Sequence, residues 1–136
     1  MSYAAIWIAG HPRTKGSFVP VKAGAFTKLR PAGKYTRAWC DHAKAVLLDQ
    51  WKHPLLEGPV RVDFLFLLPK PKTVTRPKPT GRFDGDLDKL IRGILDAGTG
   101  VVYVDDSQAS TFGETRKRWS PTPEECGVWV TFSRDI

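Results

Sequence analysis

The stretch GDLDKLIRGILDAGTGVVYVDDSQ, residues 85–108, decides how this chain folds. At about 100° per residue from Asp86, Leu87, Leu90, Ile91 and Ile94 gather on one arc, with Leu95 at its edge. That arc is the apolar stripe of a helix packed on a core. Asp86 stands at the helix start as an N-cap, and Gly98 and Gly100 end the helix after about Ala97. Asp88, Arg92 and Asp96 recur at every fourth position and form a charged ladder on the opposite flank, with Lys89 beside it. Residues 101–104, VVYV, read as a short strand that ends at Asp105 and Asp106. A helix and the next strand joined by a short turn run antiparallel, so the start of one and the end of the other share a side. Asp86, Asp88 and one or both of Asp105 and Asp106 can then converge.

Charge singles out the same segment. The 136 residues carry a net charge of +7, yet residues 84–106 hold six acids against Lys89 and Arg92, a net of −4, which leaves +11 for the remainder. A basic exterior around one acidic focus suits a polyanionic partner, most commonly nucleic acid. Cys40 and Cys126 belong to no CxxC or Cys/His cluster, which argues against a zinc site or a disulfide framework. The N-terminus lacks the basic region and apolar run of a signal peptide, and FLFLL at 64–68 is far too short to span a membrane. The expectation is a soluble, cytoplasmic protein without a membrane or small-molecule cofactor.

Outward from the central stretch, residues 3–9 read as a first strand. Residues 10–35, without a single acid, read as a long basic loop with room for a short hairpin. Thr36 can cap a helix reaching about His53, with Trp39, Ala43, Val46, Leu47 and Trp51 on one face. Residues 59–68 alternate Val60, Val62, Phe64, Phe66 and Leu68 and turn apolar on the second face too, the pattern of a central strand buried on both sides. Residues 69–85, with five bases and four prolines, form an extended connection. Residues 107–116 and 126–134 are two further strands around a turn at SPTPEE. The expected class is α+β (or α/β): a mixed β-sheet with about two helices packed against it, in a single domain over 1–136.

Converging carboxylates repel each other and need a proton or a cation to coexist. Oxygen-only ligands suit Mg²⁺ or Mn²⁺, and a divalent ion on such a site supports phosphodiester hydrolysis. The same residues also have ordinary uses: an N-cap with an acidic first turn, a solvated ion-pair ladder, and a turn at Asp105-Asp106-Ser107.

The order of residues adds a resemblance. Asp86-Leu87-Asp88-Lys89-Leu90-Ile91-Arg92, then Asp96-Ala97, a Gly98-Thr99-Gly100 turn, Tyr103, and Asp105-Asp106-Ser107-Gln108 resemble the signature of RusA-type Holliday junction resolvases, often encoded by phages and prophages. GHPRTKGSF near the N-terminus is similar to an opening found in many members. The resemblance implies a RusA-like fold and a homodimeric, Mg²⁺-dependent endonuclease that nicks four-way DNA junctions symmetrically, in the bacterial host cell if phage-encoded. It implies catalytic roles for Asp86, Asp88 and Asp106 as metal ligands, with Asp105 assisting or orienting. The essential lysine of the family falls on Arg92, and its asparagine on Lys89. A guanidinium can stabilise phosphate charge but does not readily transfer a proton. A two-fold symmetric junction with paired nicks matches a C₂ dimer.

Arg13, Lys15, Lys70, Lys72, Lys78, Arg82 and Lys89 are the candidate DNA contacts. Alternatives from the same residues are a branched-DNA-binding protein without catalysis, and a nuclease acting mainly on other branched DNA.

Overall fold

A computed structural model describes residues 3–16, 18–23, 26–31 and 34–136; for 18–23 and 26–31 it gives the backbone course alone. The elements run β1 (Ile6–Ala9), β2 (Phe18–Ala23), β3 (Phe26–Pro31), α1 (Lys34–Gln50), β4 (Val60–Leu68), α2 (Leu87–Gly98), β5 (Ala109–Trp119) and β6 (Gly127–Arg134). Single 3₁₀ turns at Asp106–Gln108 and Pro123–Glu125 precede β5 and β6. The sheet order is β1-β6-β4-β5, and β2 and β3 form a separate antiparallel hairpin. β6 pairs antiparallel with both β1 and β4, whereas β4 and β5 run parallel. The expected mixed sheet with two helices is what the chain forms.

Parallel neighbours require a crossover, and α2 provides it between β4 and β5. Its Leu90, Ile91 and Ile94 are buried, as are Trp39, Ala43 and Leu47 of α1 at helical spacing. These side chains meet the inward set of β4, namely Val60, Val62, Phe64, Phe66 and Leu68, in one core with Val128, Val130 and Phe132 of β6. Both helices therefore lie on one face of the sheet. Leu65 and Leu67, which face the other way, are only half-buried, so β4 is central but not buried on both sides.

Several expected boundaries move for identifiable reasons. Thr36 lies inside α1 and does not cap it; its hydroxyl donates to the Thr14 carbonyl, 3.0 Å away. α1 stops at Gln50, short of His53, because Pro54 disfavours helix at the residue before it. Residues 101–104 form no strand. They make a tight turn with isolated bridges from Tyr103 to Leu56 and Thr99. Val101, Val102 and Tyr103 are apolar because the turn is buried, with the Tyr103 hydroxyl donating to the Leu95 carbonyl at 2.5 Å. No helix of the described residues is long and apolar enough to cross a membrane.

Candidate active site

The N-terminal basic loop and the acidic segment pack against each other. Residues 13–16 lie along α2: the Lys15 amide donates to the Lys89 carbonyl at 2.9 Å, and Gly93 faces the Arg13 carbonyl and the Lys15 side chain. Gly16 has φ of +93° and sits under the Arg92 guanidinium, where any Cβ would collide. The Lys15 ammonium pairs with Asp96 at 2.5 Å. Asp96 in turn abuts Asp106, whose carboxyl is held above its ordinary range first by hydrogen bonding with Asp96, then by partial burial and the negative charges of Asp96 and Asp105, with Lys15 opposing. Lys15 itself is shifted up, chiefly by its bond to Asp96.

Asp88, Arg92 and Asp106 line one groove of about 670 Å³, between α2 and the edge strand β5. Leu87, Ile91, Leu95, Phe112, Gly113 and Thr115 form its other walls. The groove is largely apolar with a few charged groups converging on it, the usual character of a ligand site.

Asp86 does not share this groove. About 200° separates it from Asp88 around the helix. Asp86 instead lines a smaller polar cleft of about 240 Å³ with Thr14, Arg82, Phe83, Gly85 and Lys89, and pairs with Lys89 at 3.5 Å. It occupies the N-cap position of α2 without a side-chain capping bond. The convergence expected of Asp86, Asp88, Asp105 and Asp106 is therefore incomplete. Because 101–104 is a turn and not a strand, Asp106 arrives beside Asp96, in the second half of the helix. Among the described residues, no three Asp, Glu, His or Cys side chains are grouped closely enough to hold an ion. The oxygen donors on Asp88 and Asp106 still suit Mg²⁺, which takes one or two carboxylates and completes its shell with water and substrate phosphate.

The charged ladder also resolves differently. Among the described residues Arg92 pairs with neither Asp88 nor Asp96; Asp96 is taken by Lys15, and Arg92 is exposed toward the groove. Asp105 is engaged locally: hydrogen bonding with the Ser107 side chain first, and then with the Ser107 amide, 3.0 Å away, holds its carboxyl below the ordinary range. Asp84 is occupied elsewhere, gripped by two bonds from Arg76 at 2.7 and 2.8 Å that hold its carboxyl below the ordinary range.

Gln108 has a larger role than its place in the motif suggested. Its amide oxygen accepts the amides of Val104 and Asp105 at 2.9 and 3.1 Å, and its amide nitrogen donates to the carbonyls of Leu56 and Gly58 at 2.8 and 3.0 Å. Two of these bonds brace the turn bearing Asp106, and the other two staple it to the 56–58 loop. Nothing local in the sequence announces the Leu56 and Gly58 partners, which lie about fifty positions away.

Of the basic candidates, Lys15 is part of the carboxylate cluster, Lys89 pairs with Asp86, and Arg13 lies over the Tyr35 ring at 5.1 Å. Lys70, Lys72, Lys78 and Arg82 are exposed on the 69–85 connection.

The family model described as endodeoxyribonuclease RusA matches residues 10–128, from the basic loop into β6. No curated protein matches the chain. The span takes in the basic loop, both helices and the whole acidic segment, and the chain belongs to the RusA endodeoxyribonuclease family.

Proposed function

We propose that this chain, acting as one domain over residues 1–136, is a Mg²⁺-dependent endonuclease that resolves four-way DNA junctions by paired symmetrical nicks in recombination and repair. The observation that carries the reading is the groove where Asp88, Arg92 and Asp106 meet beside the Lys15–Asp96 pair. Asp88 and Asp106 would hold the ion, with Asp86 as the third motif carboxylate on the other side of the helix mouth. When bound, Mg²⁺ (or Mn²⁺) supplies charge neutralisation at the phosphate and a more acidic water.

The chain's own groups do the rest. Arg92 faces the groove as a fixed cation for a phosphate oxygen, a task its planar fork suits. Lys15 neutralises the Asp96–Asp106 pair and keeps Asp106 directed at the groove. Leu87, Ile91, Leu95 and Phe112 supply the apolar wall beside which these charged groups sit. Exposed Lys70, Lys72, Lys78 and Arg82 would follow the DNA backbone. Two nicks on a two-fold substrate call for two sites, hence a C₂ homodimer. The activity belongs in the cytoplasm, where the host DNA is.

The test is incubation of purified protein with a synthetic four-way junction and Mg²⁺. Paired nicks absent without metal and absent in Asp88→Asn or Asp106→Asn are expected. Junction binding with no cleavage at any Mg²⁺ or Mn²⁺ concentration would overturn the catalytic reading. Preferential cutting of flaps would reassign the substrate.

A further inference from the structure

Phe83 is 93% exposed, three residues before Asp86. A large aromatic ring held in water is an unfavourable placement unless something covers it. Nor does it dangle from a loose loop. Arg76 grips Asp84 through both carboxylate oxygens, and the Gly81 amide donates to the same carboxylate at 2.7 Å. The Asp84 amide returns a bond to the Gly81 carbonyl. The Arg76 guanidinium lies over the Trp119 ring at 5.7 Å, and the Trp119 indole N–H donates to the Arg76 carbonyl at 3.0 Å. Lys117 of β5 donates to the Gly85 carbonyl at 2.8 Å. The turn on both sides of Phe83 is thus tied to the sheet, and the ring is displayed on a fixed mount.

The surroundings indicate what the ring meets. The Arg82 guanidinium is 5.7 Å from the Phe83 ring, and Arg82, Phe83 and Lys89 rim the cleft that contains Asp86. Residues 69–83 carry Lys70, Lys72, Arg76, Lys78 and Arg82 and no acid. Protein interfaces are depleted in lysine at their centres, whereas an aromatic ring among cations is the combination that binds single-stranded or unstacked nucleic acid.

We propose that Phe83 is a stacking platform for a nucleobase at a DNA branch point, with Arg82 and Lys89 holding the flanking phosphates. The branched substrate rests on the endonuclease reading above; the stacking role goes beyond it. The physics favours a branch over plain duplex. A base inside a duplex is already stacked on both faces, so the ring gains a partner only where stacking is interrupted. Phe83 would then convert a general affinity for DNA into a preference for branched DNA beside Asp86.

The test uses metal-free binding, so cleavage does not interfere. A four-way junction carrying 5-iododeoxyuridine at the branch and a linear duplex of the same sequence are titrated with wild type, Phe83→Ala and Phe83→Tyr. Irradiation of the wild-type complex should cross-link Phe83. Phe83→Ala should weaken junction binding on the order of tenfold, leaving duplex binding and the melting temperature unchanged. Phe83→Tyr should behave as wild type. Wild-type junction cleavage without a Phe83 cross-link, and unaltered in Phe83→Ala, overturns the stacking role while sparing the endonuclease reading. Failure of wild type to bind any branched DNA overturns both. Unaltered junction binding with a reduced sedimentation coefficient in Phe83→Ala assigns the ring to a protein contact and overturns the proposal.

Discussion

Replacing Gln108 with alanine should separate positioning from chemistry in this site. The side chain makes four hydrogen bonds, but they are not equal. The bond to the Leu56 carbonyl is partly buried, while those to Gly58, Val104 and Asp105 are solvent-exposed. Water replaces the exposed ones at little net cost, so at about 0.5–1.5 kcal/mol per protected bond the loss in stability should be about 1–2 kcal/mol. For a chain of this size that corresponds to roughly 4–8 °C in melting temperature. The effect on cleavage should be larger. Asp106 begins the 3₁₀ turn whose start Gln108 holds, and a displacement of about 1 Å at a reacting group costs roughly 100-fold in rate. Well below the transition, Gln108→Ala should cleave junctions at least about tenfold more slowly, while metal-free junction binding stays within about twofold. Gln108→Glu keeps the acceptor for Val104 and Asp105 but turns a carboxylate oxygen toward the Leu56 and Gly58 carbonyls, so it should rescue neither property. Thermal melts with single-turnover cleavage measure both. A Gln108→Ala protein with wild-type melting temperature and cleavage rate would refute the staple.

Asp106→Asn should raise the melting temperature of the metal-free protein while abolishing cleavage, because Asp96 and Asp106 are like charges in contact; a scanning melt without divalent ions checks this. Lys15→Ala should slow cleavage by about 100-fold or more with binding nearly intact, an electrostatic loss of the size seen for single preorganised groups, measured as a split between rate and affinity. Acid stability gives a further check. Asp84, held below its ordinary range by Arg76, and Asp135, held down by Thr111 and Ser110, bind protons less readily folded than unfolded. Their contribution is complete above the unfolded carboxylate value of about 3.9 and is lost as pH falls through the folded values. Unfolding free energy measured between pH 6 and roughly 2 should therefore drop, and less steeply in Asp84→Asn, where one such proton is removed from the balance.

The sequence by itself determined the elements with strong periodicity. The arc of Leu87, Leu90, Ile91 and Ile94 specified α2, and the alternation of Val60 to Leu68 specified β4, because each pattern fits one backbone period and buries one face. It also determined the motif that identifies the family, since residue order needs no geometry to be read. Short apolar runs were ambiguous: 101–104 is as apolar as a strand, yet Tyr103 reaches Leu95 and Leu56 as part of a buried turn. That difference moved Asp106 along the helix to Asp96, whereas the separation of Asp86 from Asp88 follows from the turn of α2 itself. Only the tertiary structure could place Lys15 on Asp96, or Gln108 on Leu56 and Gly58. These contacts join residues some fifty to eighty positions apart, and their geometry depends on how α2 crosses from β4 to β5. Local sequence sets which face of an element is apolar. Where two such faces meet sets which charged groups share a groove.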